Sequence, residues 1–275
     1  MNMTPPAGTK PFASPLLFLL PSMAVLCAAL HLVLAAGGAS ASPTSADQFY
    51  KKSTSVCGLQ IACAASVPDA ALRSAQDIVS CMLSQRPDIA RAMVAHKVKV
   101  AIIGADQVTT DIPEHADLNR VFTQWDWNQR TRGVGATEAR PVTSCGEENL
   151  LQYQVDRYHG ECILIHEFGH TILEMGIKYI DPSFVARVEQ AYKNAIAAGK
   201  WKNTYAGSNA NEYWAEGVQD WFDANLWRTK PDGIHNEIHT RDQLRTYDPE
   251  LYSLLSQVFP SNWKWSPQQH TMIQR

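Results

Sequence analysis

Residues 163–176 read ILIHEFGHTILEMG and contain the strongest chemical signal in the chain. His166, Glu167 and His170 form an H-E-x-x-H pattern, with the two histidines four positions apart. On a helix, positions i and i+4 lie one turn apart on the same face, so both imidazoles can bind one zinc ion. Glu167 lies beside the first ligand, where its carboxylate can accept a proton from a metal-activated water. The pattern therefore predicts a zinc-dependent hydrolytic centre with Glu167 as general base.

The residues around this pattern are apolar, which indicates that the helix is buried. A buried pair of histidines with a glutamate needs polar partners, and a metal ion supplies them. The alternative is a solvent-facing helix that carries histidines by chance, and the apolar neighbours argue against it. Those neighbours are Ile163, Leu164, Ile165, Ile172 and Leu173.

A zinc site in a hydrolase usually has three protein ligands and one open position. The pattern H-E-x-x-H-x-x-G-x-x-H is excluded, because Leu173 and Gly176 occupy its later positions. Glu212 and Glu216 are four apart on a predicted helix and therefore share one face. One of these carboxylates can bind zinc while the other accepts a hydrogen bond from a liganding histidine.

Two other segments allow a functional interpretation. His235 and His239 are also four apart, and they are rival third ligands or a second metal site. Residues 125–137 combine tryptophans, arginines and glycines. They form either an edge strand that pairs with an extended substrate or an exposed structural hairpin.

The metal-site residues resemble those of the gluzincin metallopeptidases. The greatest similarity is to the catalytic domain of anthrax lethal factor and its relatives, which include the Pro-Pro endopeptidases. In those proteins the helix also reads HEFGH, a tyrosine stands seven residues before the liganding glutamate, and a second glutamate stands four residues after it. The matching residues here are Tyr205, Glu212 and Glu216. The resemblance spans residues 95–258 and is specific over residues 160–222.

The resemblance implies one zinc ion per chain, with the ligands His166, His170 and Glu212. It also implies that Glu167 is the base, that Tyr205 assists the oxyanion or the leaving group, and that Glu216 contacts a liganding histidine. The implied activity is that of a zinc metalloendopeptidase with a protein or peptide substrate. One alternative is a secreted zinc-binding protein without turnover, such as a pseudoenzyme or an adhesion module. Another is a zinc hydrolase with a different class of substrate.

The elements that position these residues are mostly helical. Hydrophobic periodicity and helix-start signals predict a strand at 98–103, one or two short edge strands within 105–146, and helices at 68–85, 87–95, 158–180, 182–198, 209–225 and 249–258. The composition, with 45% hydrophobic and 19% charged residues, is that of a globular protein. We therefore expect a mostly helical α+β fold with a small mixed sheet, which the resemblance identifies as zincin-like.

Residues 15–36 contain no charge and are followed by small residues at Ala39 and Ala41, as in a cleaved secretory signal. We therefore expect a signal peptide over 1–41, a helical segment over 42–95 packed on the catalytic domain, and the metallopeptidase domain over 96–275. The expected product is a secreted, extracellular monomer. It would associate with a membrane only if residues 15–36 remained as an uncleaved anchor. The net charge of −3 without any basic run argues against a nucleic-acid partner.

Cysteine usage agrees with export, because an oxidising compartment favours disulfide bonds. Five cysteines follow residue 41, so at most two bonds can form within the chain. We expect one bond among Cys57, Cys63 and Cys81 and a second between Cys145 and Cys162.

Overall fold

The computed structural model describes residues 45–266. Five strands form one mixed sheet in the order β1-β2-β3-β5-β4. The central strands β2, β3 and β5 are parallel, whereas β1 and β4 join the two edges in antiparallel pairing. The strands are Lys52–Val56 (β1), Leu59–Cys63 (β2), Lys99–Ile103 (β3), Gly133–Val134 (β4) and Val142–Gly146 (β5). Together with the helices, this sheet confirms the expected α+β fold with a small mixed sheet.

Helices account for most of the remaining regular structure. The α-helices are Ser45–Phe49 (α1), Asp69–Leu83 (α2), Pro87–Ala95 (α3), Leu118–Val121 (α4), Trp127–Arg130 (α5), Glu147–Leu150 (α6), Ile163–Thr171 (α7), Lys178–Ile180 (α8), Pro182–Ala197 (α9), Ala210–Trp221 (α10), Arg241–Tyr247 (α11) and Pro249–Ser256 (α12). Short 3₁₀ helices span Thr109–Asp111 and Pro113–His115, and a π-helical segment, Ile172–Ile177, joins α7 to α8.

The hairpin β1-β2 differs from the sequence expectation, which placed only helices between residues 42 and 95. Its turn consists of Cys57 and Gly58, both with positive φ (50° and 86°), a conformation that suits a two-residue hairpin. The β1 sequence KSTSV has no alternating apolar pattern, because this strand lies at the edge and buries only Val56. Hydrophobic periodicity therefore gives no signal for it. The division of the chain at residue 95 stays a prediction.

Helix α7 begins at Ile163, five residues later than expected. The preceding residues form turns, in which Gly160 adopts a φ of 100° that helical backbone does not allow. The side chain of Asn149 accepts a hydrogen bond from the Ile163 amide at 2.8 Å and so satisfies one free N–H group at the helix start. The H-E-x-x-H residues therefore lie in the first two turns of a shorter helix.

Large aromatic side chains fill the core between α10 and its neighbours. Four aromatic side chains of this region, Tyr213, Trp214, Trp221 and Phe222, are all at most 1% exposed. The Trp214 ring contacts Phe184 of α9 edge-to-face, with ring centroids 5.6 Å apart. Such rings bury large apolar areas, so they fix the position of α10 firmly.

The expected disulfide bonds are wrong for the described structure, in which all five cysteines are free. Cys57 lies in the hairpin turn and Cys63 at the far end of β2, about 15–20 Å away at the usual rise of a strand. A disulfide requires Cα atoms within about 7 Å. Cys145 and Cys162 are buried as thiols, and burial raises the pKa of Cys162 to about 12. They pack as small apolar side chains.

No helix within residues 45–266 is long and apolar enough to cross a bilayer. The predicted signal peptide over 1–41, and the anchor alternative at 15–36, lie outside the described residues.

His115 is a fully buried histidine beneath β5. Its ring nitrogens lie 3.4 Å from the Val142 carbonyl oxygen and 3.4 Å from the Ser144 hydroxyl. Burial lowers the pKa of His115 to about 4, although the Val142 carbonyl opposes the shift. The imidazole of His115 is therefore neutral in the folded protein near neutral pH.

We predict that His115 makes the fold less stable as pH falls from 6.5 toward 4. Over that range the unfolded chain binds a proton at residue 115 and the folded chain does not, so the free energy of unfolding decreases. At pH 5 the loss is about 2 kcal/mol, at about 1.4 kcal/mol per pH unit below 6.5. Urea unfolding at pH 7 and pH 5, with chelator present, should show a smaller pH dependence in His115→Gln. His159→Gln, at an exposed histidine, is the control, and equal pH dependence in all three proteins would contradict the prediction.

Candidate metal centre

Helix α7 presents both histidines of the H-E-x-x-H pattern on one face. The Nε2 atoms of His166 and His170 are 3.1 Å apart, as expected for side chains one helical turn apart. His166 is only 7% exposed. The two imidazole lone pairs therefore meet at one point beside the helix.

Glu212 of α10 completes this group. Its Oε2 lies 3.2 Å from Nε2 of His166 and 3.1 Å from Nε2 of His170. Asn209 caps α10 by accepting hydrogen bonds from the amides of Asn211 and Glu212, both at 3.0 Å. This cap places Glu212 in the first turn, directed at the histidines. Within residues 45–266, these three side chains form the one group of three or more suited to hold a metal ion.

Close packing of α7 on α10 makes this approach possible. A Cβ atom at Gly169 would lie 3.3 Å from three side-chain atoms of Val218, which is tighter than most real contacts. The indole N–H of Trp214 donates a hydrogen bond to the Gly169 carbonyl at 2.9 Å. Gly169, which has no side chain, thus sets the distance between α7 and α10.

Glu167 lies on the side of α7 that faces the edge strand β4. A Cβ atom at Gly133 would approach Cγ of Glu167 to 3.0 Å, and one at Gly135 would approach Oε2 to 3.5 Å. Burial raises the pKa of Glu167, while the charges of His166 and His170 and a backbone hydrogen bond from Gly135 oppose the rise. The carboxylate is therefore held in a half-buried position between the metal-site helix and the sheet edge.

Thr171 fixes the edge strand to this helix. Its hydroxyl oxygen accepts hydrogen bonds from the Ala136 amide at 2.9 Å and from the Thr143 hydroxyl at 2.6 Å. It donates to the Glu167 carbonyl at 2.9 Å. One fully buried side chain thus connects the segment after β4, strand β5 and helix α7.

Tyr205 contacts the site from the loop before α10. Its phenol donates a hydrogen bond to Oε1 of Glu212 at 3.1 Å. Its ring lies nearly parallel to that of His166, with centroids 6.1 Å apart. Burial and the neighbouring carboxylates of Glu212 and Glu167 raise the pKa of Tyr205 well above its usual value. The phenol therefore stays protonated and remains a hydrogen-bond donor.

The electrostatics of the three donors favour positive charge beside Glu212. Burial alone would raise the pKa of Glu212, but the two histidines hold it well below its usual range. Burial alone would lower the pKa of His166, but the neighbouring carboxylates of Glu212 and Glu216 raise it well above its usual value. The site therefore stabilises a carboxylate beside positive charge.

The donor set also fits zinc. Two imidazole nitrogens and one carboxylate oxygen are common zinc ligands, at about 2.0–2.1 Å from the metal. Tetrahedral ligands at that distance are about 3.3–3.4 Å from one another. The separations of 3.1 and 3.2 Å between Glu212 and the histidines are close to this value.

The second nitrogen of His166 has a partner that the sequence analysis missed. Its Nδ1 lies 2.8 Å from Oε1 of Gln219 and 3.4 Å from Oε1 of Glu216. Gln219 stands seven residues after Glu212, two turns along the same helix face, so helical periodicity could have identified it. Glu216 also accepts a hydrogen bond from Asn225 at 3.1 Å.

The rival ligands lie elsewhere. His235 is buried, and its Nε2 is 3.2 Å from Oε2 of Glu161. His239 contacts the Glu237 carbonyl at 3.3 Å. Neither belongs to the three-residue group. Of the segment 125–137, residues 127–130 form α5 and residues 133–134 form the edge strand β4.

Comparisons with known proteins complete this description. No protein-family model and no curated protein matches the chain. The structure is similar to that of a Pro-Pro endopeptidase from Paenibacillus alvei, with 16% sequence identity and a TM-score of 0.45. The alignment covers 68% of this chain and 91% of that one. At this identity and score, the similarity carries no argument about activity.

Proposed function

We propose that this protein is a secreted zinc-dependent endopeptidase of the gluzincin type. The observation that carries the proposal is the convergence of His166, His170 and Glu212, with donor atoms 3.1–3.2 Å apart, beside two further groups suited to hydrolysis. Those two groups are Glu167 and Tyr205. The sequence resemblance over residues 160–222 supports the same assignment. Secretion rests on the signal pattern of residues 1–41.

The three ligands would hold one zinc ion, which supplies Lewis acidity toward a scissile carbonyl and toward water. Glu167 takes the proton of the attacking water and passes it to the leaving amine. The half-buried position of this carboxylate suits a general base, because burial raises its affinity for the proton. Tyr205 remains protonated, and its hydroxyl, which bonds Glu212 in the structure, would donate instead to the oxygen that becomes negative.

The edge strand β4 offers a place for an extended peptide substrate. It is the last strand in the sheet order, so its outer edge is not used by another strand of the described chain. An extended peptide added to such an edge gains main-chain hydrogen bonds. Gly133 brings this strand against Glu167, so a peptide paired there would pass close to the base. A zinc-binding protein without turnover would need neither Glu167 nor Tyr205 in these positions.

We predict that Glu167→Gln lowers kcat about 10²–10⁴-fold while zinc content stays near one per chain. The amide keeps the shape of the side chain but cannot accept the proton. A peptide-library digest with and without chelator measures cleavage, and elemental analysis measures zinc. Glu174→Gln, at a glutamate outside the ligand set whose carboxylate pairs with Lys178, is the matched control. Normal cleavage by Glu167→Gln would exclude it as the base.

We predict that Glu212→Ala weakens zinc binding more than about 100-fold, since loss of an outer partner of a ligand alone costs 10–100-fold. Competition with a chromophoric chelator gives the Kd. Full zinc occupancy in this variant would show that Glu212 is not a ligand and would direct attention to Glu216 or His235.

We predict that Gly133→Ala lowers kcat/KM at least about tenfold without loss of zinc. The added Cβ would lie 2.6 Å from Cγ2 of Ile163 and 3.0 Å from Cγ of Glu167, so β4 must move away from α7. Small displacements of a reacting geometry reduce rates strongly. Gly199→Asn is the control, because its Cβ meets nothing within 4 Å and asparagine tolerates the positive φ. Unchanged kcat/KM in Gly133→Ala would argue against substrate binding at β4.

A further inference from the structure

The side chain of Gln219 contacts the His166 nitrogen that points away from Glu212. Gln219 is fully buried, and its Oε1 lies 2.8 Å from Nδ1 of His166. Glu216, which the family resemblance implies for this contact, is farther away at 3.4 Å. Since the nitrogen carries at most one hydrogen, it donates to one acceptor, and the shorter contact is with Gln219.

The environment of Gln219 determines which way its amide points. Its Nε2 lies 3.3 Å from a carboxylate oxygen of Glu161 and 3.4 Å from the Cys162 carbonyl. Both neighbours are acceptors, so the NH₂ group must face them and the oxygen must face His166. The amide is therefore an acceptor toward the imidazole.

This orientation in turn fixes the form of the imidazole. The Gln219 oxygen can only accept a hydrogen bond, so Nδ1 of His166 must carry the hydrogen. In a neutral imidazole ring the free lone pair is then on Nε2. Nε2 is the atom that lies 3.2 Å from Glu212 in the three-donor group. The wrong tautomer would place a hydrogen where the metal has to bind.

Glu161 and His235 hold Gln219 in this orientation. One oxygen of Glu161 contacts both the Gln219 amide and Nε2 of His235, the latter at 3.2 Å. The His235 amide donates to the side chain of Asp232 at 2.8 Å, which fixes the loop that carries the imidazole. The chain of contacts thus runs from the 232–235 loop through Glu161 and Gln219 to His166.

We propose that Gln219 is the positioning residue of His166, and that the pair Glu161–His235 keeps its amide oxygen directed at Nδ1. The inference rests on the proposed metal site and not on peptide hydrolysis. Because Gln219 accepts the hydrogen bond through a neutral amide, it orients the imidazole of His166 without adding a further negative charge near Glu212. Its removal should affect the metal geometry more than the fold.

The test measures zinc affinity by chelator competition and the visible spectrum of the cobalt(II)-substituted protein. Gln219→Met should weaken zinc binding about 10–100-fold and change the cobalt spectrum, since the ring is free to turn. Gln219→Glu combined with Glu161→Gln keeps an acceptor beside Nδ1 and a donor between positions 161 and 219, and should restore both readouts. Gln152→Met removes another buried amide, one that bonds the Asn149 carbonyl, and should change neither. A general packing defect would not be rescued by this double variant.

Glu216→Gln decides between the two candidate partners. If Glu216→Gln retains the zinc affinity, Gln219 is supported as the partner of His166. If Glu216→Gln loses zinc affinity about 10–100-fold while Gln219→Met loses none, the inference is overturned. If Gln219→Met did not fold, the double variant Gln219→Glu with Glu161→Gln and the single variant Glu216→Gln would still decide. A loss confined to Glu216→Gln overturns the inference, and retained affinity in both supports it. A wild-type protein that binds zinc but cleaves no peptide would contradict only the proposed function. One that binds neither metal would overturn both.

Discussion

The contact of one carboxylate with two imidazoles is the interaction on which the rest of this structure depends. Glu212 reaches His166 and His170 only because α10 lies against α7, and α10 lies there because Gly169 has no side chain and Trp214 bonds its carbonyl. Three polar groups brought together in a largely buried site are costly unless each has a partner. The aromatic core around α10 supplies the apolar burial that offsets that cost.

The sheet contributes to the site through its edge. Parallel central strands bring β5 beside α7, and β4 then adds to β5 so that its Gly133, and Gly135 just after it, lie against Glu167. The hydroxyl of Thr171 connects these parts through three hydrogen bonds. Catalytic geometry of this kind is retained only when the supporting side chains are themselves fixed. The small sheet is therefore part of the site.

Local periodicity predicted the parts of the site that share one helix face. The spacing of His166 and His170, and the placement of Glu212 on a later helix, follow from the 3.6-residue repeat. The contacts of Gln219 with Glu161, and of Glu161 with His235, join separate segments, so no single window of sequence contains them. Strand β1 was not predicted, because its residues are mostly polar and it lies at the edge of the sheet. The disulfide bonds were inferred from the expected oxidising compartment and from the number of cysteines. Neither of these determines the distance between two thiols.

The Asn209 cap has a consequence for how the proposed metal would leave. Glu212 lies in the first turn of α10, and its own amide is one of the two that Asn209 holds. Helix ends fray more readily than helix interiors, so opening of this single turn would withdraw the carboxylate while both histidines stayed on α7. Dissociation of an ion held by these three side chains would then be linked to a local unfolding event that leaves the rest of the protein intact. Its exchange lifetime would depend on the stability of a helix end as well as on the three ligand bonds.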